Sequence, residues 1–338
     1  MIVAELSGNH NGDLQRAKAL IYIAKQAGAD AVKLQTYTAD TITINSDRPE
    51  FQLHGGLWNG RNLYDLYEWA HTPWEWHSEL FRYAKEIGIV IFSSPFDLSA
   101  VAFLESLNCP IYKIASFEAM DLPLIRGVAL TGKPIIISTG VINDEQIQEA
   151  LDTVYATGNR AVTLLHCISQ YPAKSESFNL KTIKDMQQRF SVPVGLSDHT
   201  LDNTVAIAST ALGAVMVEKH FTVKRSDGGP DADFSLEPEE LASLVNTVKT
   251  TQKAMGQVSY QNSDKSQCHR SLYVVKSMKK GEYFTPKNIR SIRPGLGMEP
   301  KYIDDIIGKK CTNNIAFATP MKKEFIDEQS ESLLKNKE

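Results

Sequence analysis

Lysines, hydroxyls and histidines recur along the first 220 residues, each group directly behind a short apolar run. Lysine ammonium groups neutralise the oxygens of a phosphate or carboxylate, and hydroxyls donate hydrogen bonds to them. Imidazoles at the ends of neighbouring strands can bind a transition metal while leaving positions open for a substrate. The combination predicts one site for an anionic substrate and a divalent metal. The residues concerned are Glu5, Lys33, Gln35, Ser93, Ser94, Lys113, Ser116, Ser138, Ser169, Tyr171, Ser197, His199, Glu218 and His220.

Each of these residues also has a purely structural interpretation. Lys113 taken alone could equally be half of an ion pair that only stabilises the fold. His199 and His220 stand 21 residues apart, a spacing that matches no compact metal-binding motif. The other six histidines are interpreted as hydrogen-bonded structural residues. The prediction of a site therefore depends on many polar groups meeting at one place.

The elements that would bring them together are eight β-branched apolar runs, which alternate with stretches of helical periodicity up to about residue 256. Eight strand–helix units predict an α/β protein with a (β/α)₈ TIM barrel, in which the carboxyl ends of all strands meet at one mouth. A doubly wound open sheet is the alternative, but no G-x-G-x-x-G follows the first run. The predicted strands are 2–6, 31–37, 90–96, 111–116, 134–140, 162–169, 192–199 and 215–222.

The segments between the strands carry further signals. Residues 38–72 are too long for a simple loop and rich in aromatic residues, so they predict an insertion over one end of the barrel. Tyr64, Trp69, Trp74 and Trp76 are expected to pack beneath this insertion. Helix ends are expected at Gly88, Gly132 and Gly213, and helix caps at Asp97, Asn143 and Asp202.

The distribution of charge divides the chain into two parts. The net charge is −4, but residues 1–265 carry −9 and residues 266–338 carry +5. The negative overall charge argues against a nucleic-acid binder. We predict a catalytic domain at 1–256, a polar linker at 257–269, a small basic domain at 270–327 and a tail at 328–338. The basic residues of the small domain are interpreted as a solvated face.

Cysteine usage and hydropathy predict a cytoplasmic protein. The four cysteines are widely spaced and form no C-x-x-C pair, a pattern typical of reduced thiols. The chain begins almost at once with a strand-like run, so we expect no signal peptide. It has no apolar run of the roughly 18 to 20 residues that a membrane span requires, and we expect no membrane association.

Seven ordered motifs then make the sequence resemble the sialic acid synthase family. They are AELSGNHNG at 4–12, ADAVKLQ at 29–35, FSSPF at 92–96, YKIAS at 112–116, ISTG at 137–140, GLSDHT at 195–200 and EKHFT at 218–222. KGE at 280–282 and IRPG at 292–295 resemble the antifreeze-like (SAF) domain that ends these enzymes. GLWNGRNLYDLY at 56–67, TPWEWH at 72–77, GGPD at 228–231 and FSLEP at 234–238 resemble the branch that makes pseudaminic acid. The opening ELSG at 5–8 also suits that branch, where sialate synthases tend to read Glu-Ile-Gly.

The resemblance implies a TIM barrel followed by a SAF domain and a carbon–carbon bond-forming transferase. Such an enzyme condenses phosphoenolpyruvate with an acetamido-deoxy sugar and water, here 2,4-diacetamido-2,4,6-trideoxy-β-L-altropyranose. It also implies a homodimer in which the small domain reaches the neighbouring active site. The alternatives are an N-acetylneuraminate or legionaminate synthase and, more remotely, a Schiff-base barrel aldolase using Lys33 or Lys113. A sugar-binding protein on a barrel scaffold is the non-enzymatic alternative.

The family's site residues transfer position by position. His199 and His220 fall where the family holds Mn²⁺, or Mg²⁺ or Co²⁺, and Glu5 is the candidate for proton transfer. The residues that would hold phosphoenolpyruvate are Lys33, Ser94, Lys113, Ser116, Ser138, Ser169 and Ser197. Those expected around the sugar are Gln35, Tyr171, Asp231 and, from the neighbouring subunit, Arg293. Ile168-Ser169 replaces the Thr-Asn pair of some sialate synthases, so the phosphate contact of the shorter Ser169 is the weakest transfer.

Overall fold

The computed structural model describes residues 1–260 and 268–330. It divides into two compact units, Met1–Gly256 and Gln257–Glu338. The predicted linker at 257–269 and tail at 328–338 extend over residues 261–267 and 331–338, which lie outside the described residues. Those two boundaries therefore stay predictions.

The first unit is a closed barrel of eight parallel strands in sequential order, as the eight apolar runs predict. Each strand pairs with the next along the chain, and β1 closes the barrel against β8 in the register Glu5 to His220. The strands are β1 (Ile2–Glu5), β2 (Ala31–Thr36), β3 (Val90–Pro95), β4 (Tyr112–Ile114), β5 (Ile135–Ser138), β6 (Val162–Cys167), β7 (Val194–Asp198) and β8 (Val217–His220).

Helices surround the barrel and cover the outer faces of its strands. Because both faces of such strands are buried, the runs read as continuously apolar. The helices of this unit are α1 (Leu14–Gln26), α2 (Ala39–Ile42), α3 (Leu63–Ala70), α4 (Trp74–Ile87), α5 (Leu98–Ser106), α6 (Leu122–Ala129), α7 (Asp144–Ala156), α8 (Lys181–Phe190), α9 (Thr204–Ala211) and α10 (Pro238–Met255). No helix in the part of the chain that the structure describes is long and apolar enough to cross a membrane.

Each strand ends one or two residues before the carboxyl end of the predicted apolar run. The run at 111–116 shows why: β4 ends at Ile114, and Ser116–Glu118 forms a 3₁₀ turn at the mouth. Ser116, Tyr171 and His199 thus belong to loops that turn over the barrel end. Lys33, Lys113 and His220 lie within the strands themselves.

The expected helix caps are mostly present. Asp97 accepts hydrogen bonds at the start of α5, and Asn143 forms a capping box with Gln146 at the start of α7. The cap expected at Asp202 is displaced by one residue, since Asn203 occupies the N-cap position without a side-chain hydrogen bond. The Asp202 carboxylate still accepts the amide of Thr204 at 2.7 Å, so it satisfies a free donor of the first turn from one position earlier.

The insertion 38–72 contains α2 and α3 and lies over the mouth. Its Trp58 donates from Nε1 to the carbonyl of Pro230 at 2.8 Å, on the loop that follows β8. The prediction that four aromatic side chains pack beneath the insertion is wrong for two of them. Trp69 is 39% exposed beneath the guanidinium of Arg61, and Tyr64 donates to Asp40 at the surface. An aromatic ring on a short amphipathic helix can face outward where a cation covers it.

The second unit has its own small core and contains β9 (Ser271–Val274), β10 (Ile289–Ile292) and α11 (Ile303–Ile306). The two strands form an antiparallel pair. Leu272, Val274, Phe284 and Ile289 are fully buried in this core. Arg293 follows β10 directly and is exposed, with no hydrogen bond or ion pair to it among the described residues.

Candidate active site

A cavity of about 260 Å³ opens at the carboxyl ends of the barrel strands. Residues at or just behind the ends of all eight strands line it, together with side chains of the insertion. Ten of the fourteen residues transferred from the resembling family are among them: Lys33, Gln35, Lys113, Ser116, Ser138, Tyr171, Ser197, His199, His220 and Asp231. The convergence predicted from the alternation of strands and helices is therefore present within the first unit.

Four predicted residues do not line the cavity. Glu5 and Ser94 lie behind the lining and touch Lys33, and Ser169 lies behind Cys167 with its hydroxyl 3.9 Å from that Sγ. Arg293 belongs to the second unit. Its role in the site of a neighbouring subunit stays a prediction.

A buried network of two lysines and two glutamates forms the floor of the cavity. Lys33 pairs with the carboxylate of Glu5, and its Nζ lies 3.7 Å from Glu218 Oε1. Lys113 Nζ lies 3.9 Å from the same oxygen of Glu218. All four side chains are almost completely buried. Since an unpaired buried charge costs several kcal/mol, each lysine here depends on the carboxylates until an anionic ligand arrives.

The two lysines differ in their electrostatics. Burial acts to lower the pKa of Lys33, but the nearby carboxylates of Glu218 and Glu5 outweigh it and raise that pKa above its ordinary value. For Lys113 burial prevails and lowers the pKa, although Glu218 opposes it. Burial also raises the pKa of Glu5, whereas Lys113 and Lys33 hold that of Glu218 below its usual value against burial. Glu5 is thus the carboxyl of the pair that takes up a proton more readily.

Hydroxyls and a close turn surround Lys113. Its Nζ donates to Ser138 Oγ at 2.7 Å and to the Ile114 carbonyl at 3.2 Å. Ser116 Oγ accepts the amide of Gly140 at 3.2 Å. A Cβ on Gly140 would come within 3.0 Å of Ser116 Oγ, so glycine is what lets the strand-five turn approach this group. The result is a cation set among hydroxyls, which suits an anion with several oxygens.

His199 and His220 meet at the side of the cavity, with ring centroids 5.4 Å apart. His199 Nδ1 donates to the carbonyl of Ile168 at 2.9 Å, which leaves Nε2 as the ring nitrogen for a ligand. His220 Nδ1 is buried and has no hydrogen-bond partner among the described residues. Burial, and next to it the charge of His199, lowers the pKa of His220 well below its ordinary value, so this imidazole carries a lone pair at neutral pH.

These two histidines fit a metal whose coordination is completed by the substrate. A ligating histidine commonly donates its other ring N–H to a backbone carbonyl, as His199 does. His220 Nδ1 has no hydrogen-bond partner among the described residues, and Asp231 Oδ2 lies 3.5 Å from it. Within residues 1–260 and 268–330 no group of three or more His, Cys, Asp and Glu side chains could hold a metal. The described residues therefore offer two ligands, His199 and His220, and the remaining positions of a bound ion would belong to substrate and water.

Burial opposes protonation of His199, but its hydrogen bond with Cys167 prevails and raises its pKa. A metal at Nε2 would displace that proton, which makes metal affinity pH-dependent. Cys167 itself is a cavity residue that the sequence did not single out. Its position two residues before Ser169 at the end of β6 is the signal that could have indicated it.

The side of the cavity next to the histidines carries the groups expected around a sugar. Tyr171 packs against His199 with centroids 4.5 Å apart, and Gln35 Nε2 donates to Glu5 Oε1 at 3.0 Å. Asp231 accepts a hydrogen bond from the Ser7 hydroxyl, and its Oδ2 lies 3.5 Å from His220 Nδ1. Burial raises the pKa of Asp231 to about 6.

Three further cavity residues were not among the fourteen residues transferred from the family, although Glu218 was among the polar residues expected to meet at the strand ends. Glu218 shares a strand face with His220, so its alternation along β8 was the available signal. Ser7 follows β1, and Glu118 ends the 3₁₀ turn that begins at Ser116. Burial raises the pKa of Glu118 to about 7, and its Oε2 is buried without a hydrogen-bond partner among the described residues.

Side chains between the cavity residues face the other way. Lys219 lies between Glu218 and His220, and Asp198 between Ser197 and His199. Lys219 Nζ donates to Asp198 Oδ2 at 2.9 Å and to the Asp202 carbonyl at 2.9 Å. This buried pair fixes the loop behind β7 and takes no part in lining the cavity.

Comparison with known proteins places this site in a family. The model of the NeuB family matches residues 20–260, and the model of the SAF domain matches residues 269–326. The chain belongs to the NeuB family. The sialic acid synthase family and the SAF domain predicted from the motifs are thereby confirmed. The second unit is matched by the SAF model over nearly all of its described residues.

Members of the NeuB family with full-length similarity include two pseudaminic acid synthases. That of Helicobacter pylori is 44% identical over 96% of this chain and 97% of its own. One from Campylobacter jejuni is 42% identical over 95% of both chains. The solved N-acetylneuraminic acid synthetase of Leptospira borgpetersenii is 29% identical, with a TM-score of 0.70 over 79% of this chain and 88% of its own.

Proposed function

We propose that this NeuB-family protein is a pseudaminic acid synthase. It would condense phosphoenolpyruvate with 2,4-diacetamido-2,4,6-trideoxy-β-L-altropyranose and water to give pseudaminate and phosphate by C–O cleavage. The observation that carries the proposal is the full-length similarity to two pseudaminic acid synthases, in a chain whose barrel mouth holds two buried lysines. The cavity at this mouth has a volume of about 260 Å³ and a polar floor, which suits one small anion beside one sugar.

The lysine and hydroxyl side of the cavity would bind phosphoenolpyruvate. Lys113, with Ser138 at 2.7 Å, is the central cation, and Ser116 and Ser197 line the same floor. Lys33 would exchange part of its pairing with Glu5 and Glu218 for the incoming anion. Ser94, 3.4 Å from Lys33 Nζ, would orient that lysine. Ser169, whose hydroxyl lies 3.9 Å from Cys167 Sγ, would supply the weakest phosphate contact. Such fixed cations stabilise charge throughout the reaction.

The reaction balances with these groups. C3 of phosphoenolpyruvate forms a bond to the aldehyde carbon of the open-chain sugar, and the C2 oxocarbenium ion that results is captured by water. The tetrahedral intermediate then loses phosphate with its C–O bond electrons. Glu5, whose pKa is raised by burial, is our candidate for moving the protons of water and of the sugar hydroxyls. The alternative role for Glu5 is that of a hydrogen-bond acceptor for the sugar.

His199 and His220 would hold a divalent ion, Mn²⁺ or else Mg²⁺ or Co²⁺, at the sugar side of the cavity. Such an ion acts as a Lewis acid that polarises the aldehyde carbonyl. Gln35, Tyr171 and Asp231 would fix the sugar beside it, since all three line the cavity next to the histidine pair.

The proposed identity of the sugar rests on an apolar part of the cavity wall next to Tyr171, whose ring centroid lies 5.8 Å from that of Trp58. Trp58, Leu66, Tyr67 and Phe96 give this wall an apolar character. A 6-deoxy sugar ends in a methyl group instead of a hydroxymethyl group, so its burial here leaves no hydroxyl unsatisfied. Trp58, Leu66 and Tyr67 belong to the insertion, which therefore supplies most of the proposed recognition of this end.

We further propose a cytoplasmic homodimer in which Arg293 reaches the partner's site. Cys109, Cys167, Cys268 and Cys311 are all free, in keeping with a reducing compartment. Residues 266–338 carry +5, whereas the barrel part carries −9. Since the proposed substrates are anionic or polar, the exposed Arg293 would add positive charge to the active site of a barrel whose net charge is negative.

The decisive test is mass spectrometry of the product formed from phosphoenolpyruvate with the diacetamido-altrose, the legionaminate precursor sugar and N-acetylmannosamine in competition. Pseudaminate and inorganic phosphate are the expected products. Exclusive conversion of N-acetylmannosamine, or of the legionaminate precursor, would contradict the sugar assignment and leave the family chemistry in place.

A Schiff-base aldolase remains the second candidate because burial lowers the pKa of Lys113, as an amine nucleophile requires. In this structure, however, the Lys113 amine is engaged by Ser138 and the Ile114 carbonyl. Borohydride trapping with pyruvate separates the two functions. A stable adduct on Lys33 or Lys113 would favour the aldolase, and phosphate release without an adduct would favour the synthase.

A further inference from the structure

Ser7 has an unusual backbone conformation for a residue other than glycine. Its φ of 46° lies in the left-handed region, which non-glycine side chains rarely adopt. Such strained residues persist where the surrounding structure fixes them, and they cluster at functional sites. Ser7 is buried and lines the cavity directly behind β1.

The packing around the next residue explains how this conformation is held. A Cβ on Gly8 would lie 2.6 Å from the Ala70 carbonyl oxygen and 2.5 Å from Pro230 Cγ. The turn is thus wedged between the end of α3 in the insertion and the loop behind β8. The amide of Ser7 donates to Glu5 Oε1 at 3.0 Å, and the amide of Asn9 donates to the Leu6 carbonyl at 3.1 Å. These contacts leave the turn little freedom to relax.

The hydroxyl of Ser7 joins two of the residues proposed to surround the sugar. Its Oγ donates to Asp231 Oδ2, 224 positions away, and receives a hydrogen bond from Gln35 Nε2 at 3.4 Å. Gln35 in turn donates to Glu5. A change of φ to negative values would rotate the Cα–Cβ bond about the N–Cα axis and carry the hydroxyl away from both partners. The strained backbone is therefore what places this hydroxyl between them.

We propose that Ser7 is a positioning residue for the acetamido sugar, which acts by fixing the orientation of Asp231 and Gln35 in the cavity. This inference rests on the proposed function, because it takes both partners to be sugar ligands. Asp231 comes from a loop behind β8, and its other described polar neighbour is His220 at 3.5 Å. Without the Ser7 hydroxyl its carboxylate would lose the hydrogen bond that turns it toward the strand-two side of the cavity.

Two substitutions separate the effect of the Ser7 hydroxyl from the effect of its backbone conformation. Ser7→Ala removes the hydroxyl and keeps the strained φ, whereas Ser7→Gly removes both. Both variants should raise the KM for the sugar about tenfold or more, the effect of losing a hydrogen bond to a charged group, with the KM for phosphoenolpyruvate changed by less than about twofold. Ser7→Gly should melt no lower than Ser7→Ala, because glycine adopts the left-handed region freely.

Ser191→Gly is the matched control. Ser191 also has a left-handed backbone, with φ of 52°, but it ends α8 on the surface. Both KM values should stay unchanged in this variant. A sugar KM within twofold of wild type in Ser7→Ala would overturn the proposal, as would an equal rise in both KM values.

The products formed by the wild-type enzyme test the proposed function separately from the role of Ser7. If it converts another acetamido sugar, the sugar assignment fails and the Ser7 comparison is made with that substrate. If it converts none of them with phosphoenolpyruvate, the proposed function and the role of Ser7 both fail.

Discussion

The imidazoles of His199 and His220, on the neighbouring strands β7 and β8, face each other with ring centroids 5.4 Å apart. The backbone carbonyl of Ile168 fixes the first ring, and the second has a buried nitrogen without a hydrogen-bond partner among the residues described. Two nitrogens held in this way, at the wall of a cavity, suit the divalent ion that we propose for this site.

Substitution of either histidine should abolish metal-dependent turnover. His199→Ala and His220→Ala each remove one of the two protein nitrogens, so binding of Mn²⁺ measured by calorimetry should weaken at least tenfold. Circular dichroism should show a folded protein, because neither ring carries a long network of partners. Full activity of the wild-type enzyme in EDTA, with no effect of added Mn²⁺, would disprove the metal assignment.

Arg293→Ala should impair the sugar step more than the loss of a surface charge would. If Arg293 enters the site of a partner subunit, the KM for the sugar should rise about tenfold or more, since it loses a charged hydrogen bond. Arg290→Ala is the matched control, because Arg290 is also exposed and lies on β10 three residues earlier. Equal and small effects of both substitutions would assign Arg293 to the solvated face.

Loss of Lys219 should destabilise the barrel without direct damage to the cavity. Lys219→Met leaves the Asp198 carboxylate buried and unpaired, and removal of one partner of a buried pair costs about 3 to 5 kcal/mol of unfolding free energy. The exposed pair between Lys249 and Asp30, at 4.0 Å, supplies the control: Lys249→Met should cost less than about 1 kcal/mol. Urea denaturation of the two variants measures the difference. Equal costs would contradict a structural role for the buried pair.

Acid should destabilise the first unit through two buried histidines outside the site. Burial lowers the pKa of His10 and that of His77 to about 4, from the ordinary 6.5. The unfolded chain therefore binds more protons than the folded one between pH 6.5 and 4, and stability falls as the pH falls through this range. Above pH 6.5 the contribution is complete and constant.

The slope of stability against pH tests this assignment. His77 Nδ1 donates to the Pro73 carbonyl at 3.2 Å, so Nε2 accepts from the Thr36 hydroxyl at 2.9 Å and the ring is neutral. His77→Gln removes one titrating group, and the fall in unfolding free energy from pH 6.5 to 4 should become smaller. Glu and Asp residues titrate in the same range in both proteins, so only the difference is informative. An unchanged slope would mean that His77 is not the group responsible.

The sequence determined much of the fold and the residues that could serve the site. Strand and helix periodicities are local properties of the chain, and their alternation, with the seven motifs, predicted the barrel and the family. The position of polar residues at or just behind the strand ends was also local, so Lys33, Lys113, His199 and His220 were identifiable without coordinates. The pattern of alternation even placed Glu218 and His220 on one face.

The tertiary structure decided which of these residues interact. Closure of the barrel places Lys33 between Glu5 and Glu218, and brings Ser7 to Asp231 across 224 positions. It also directs the side chains of Lys219 and Asp198 away from the cavity, where they pair with each other, although both residues belong to motifs that carry site residues. Neighbours along the chain fix whether a residue lies in a strand, but pairing energies depend on distance and burial across the barrel. Those quantities exist only once all eight strands have closed.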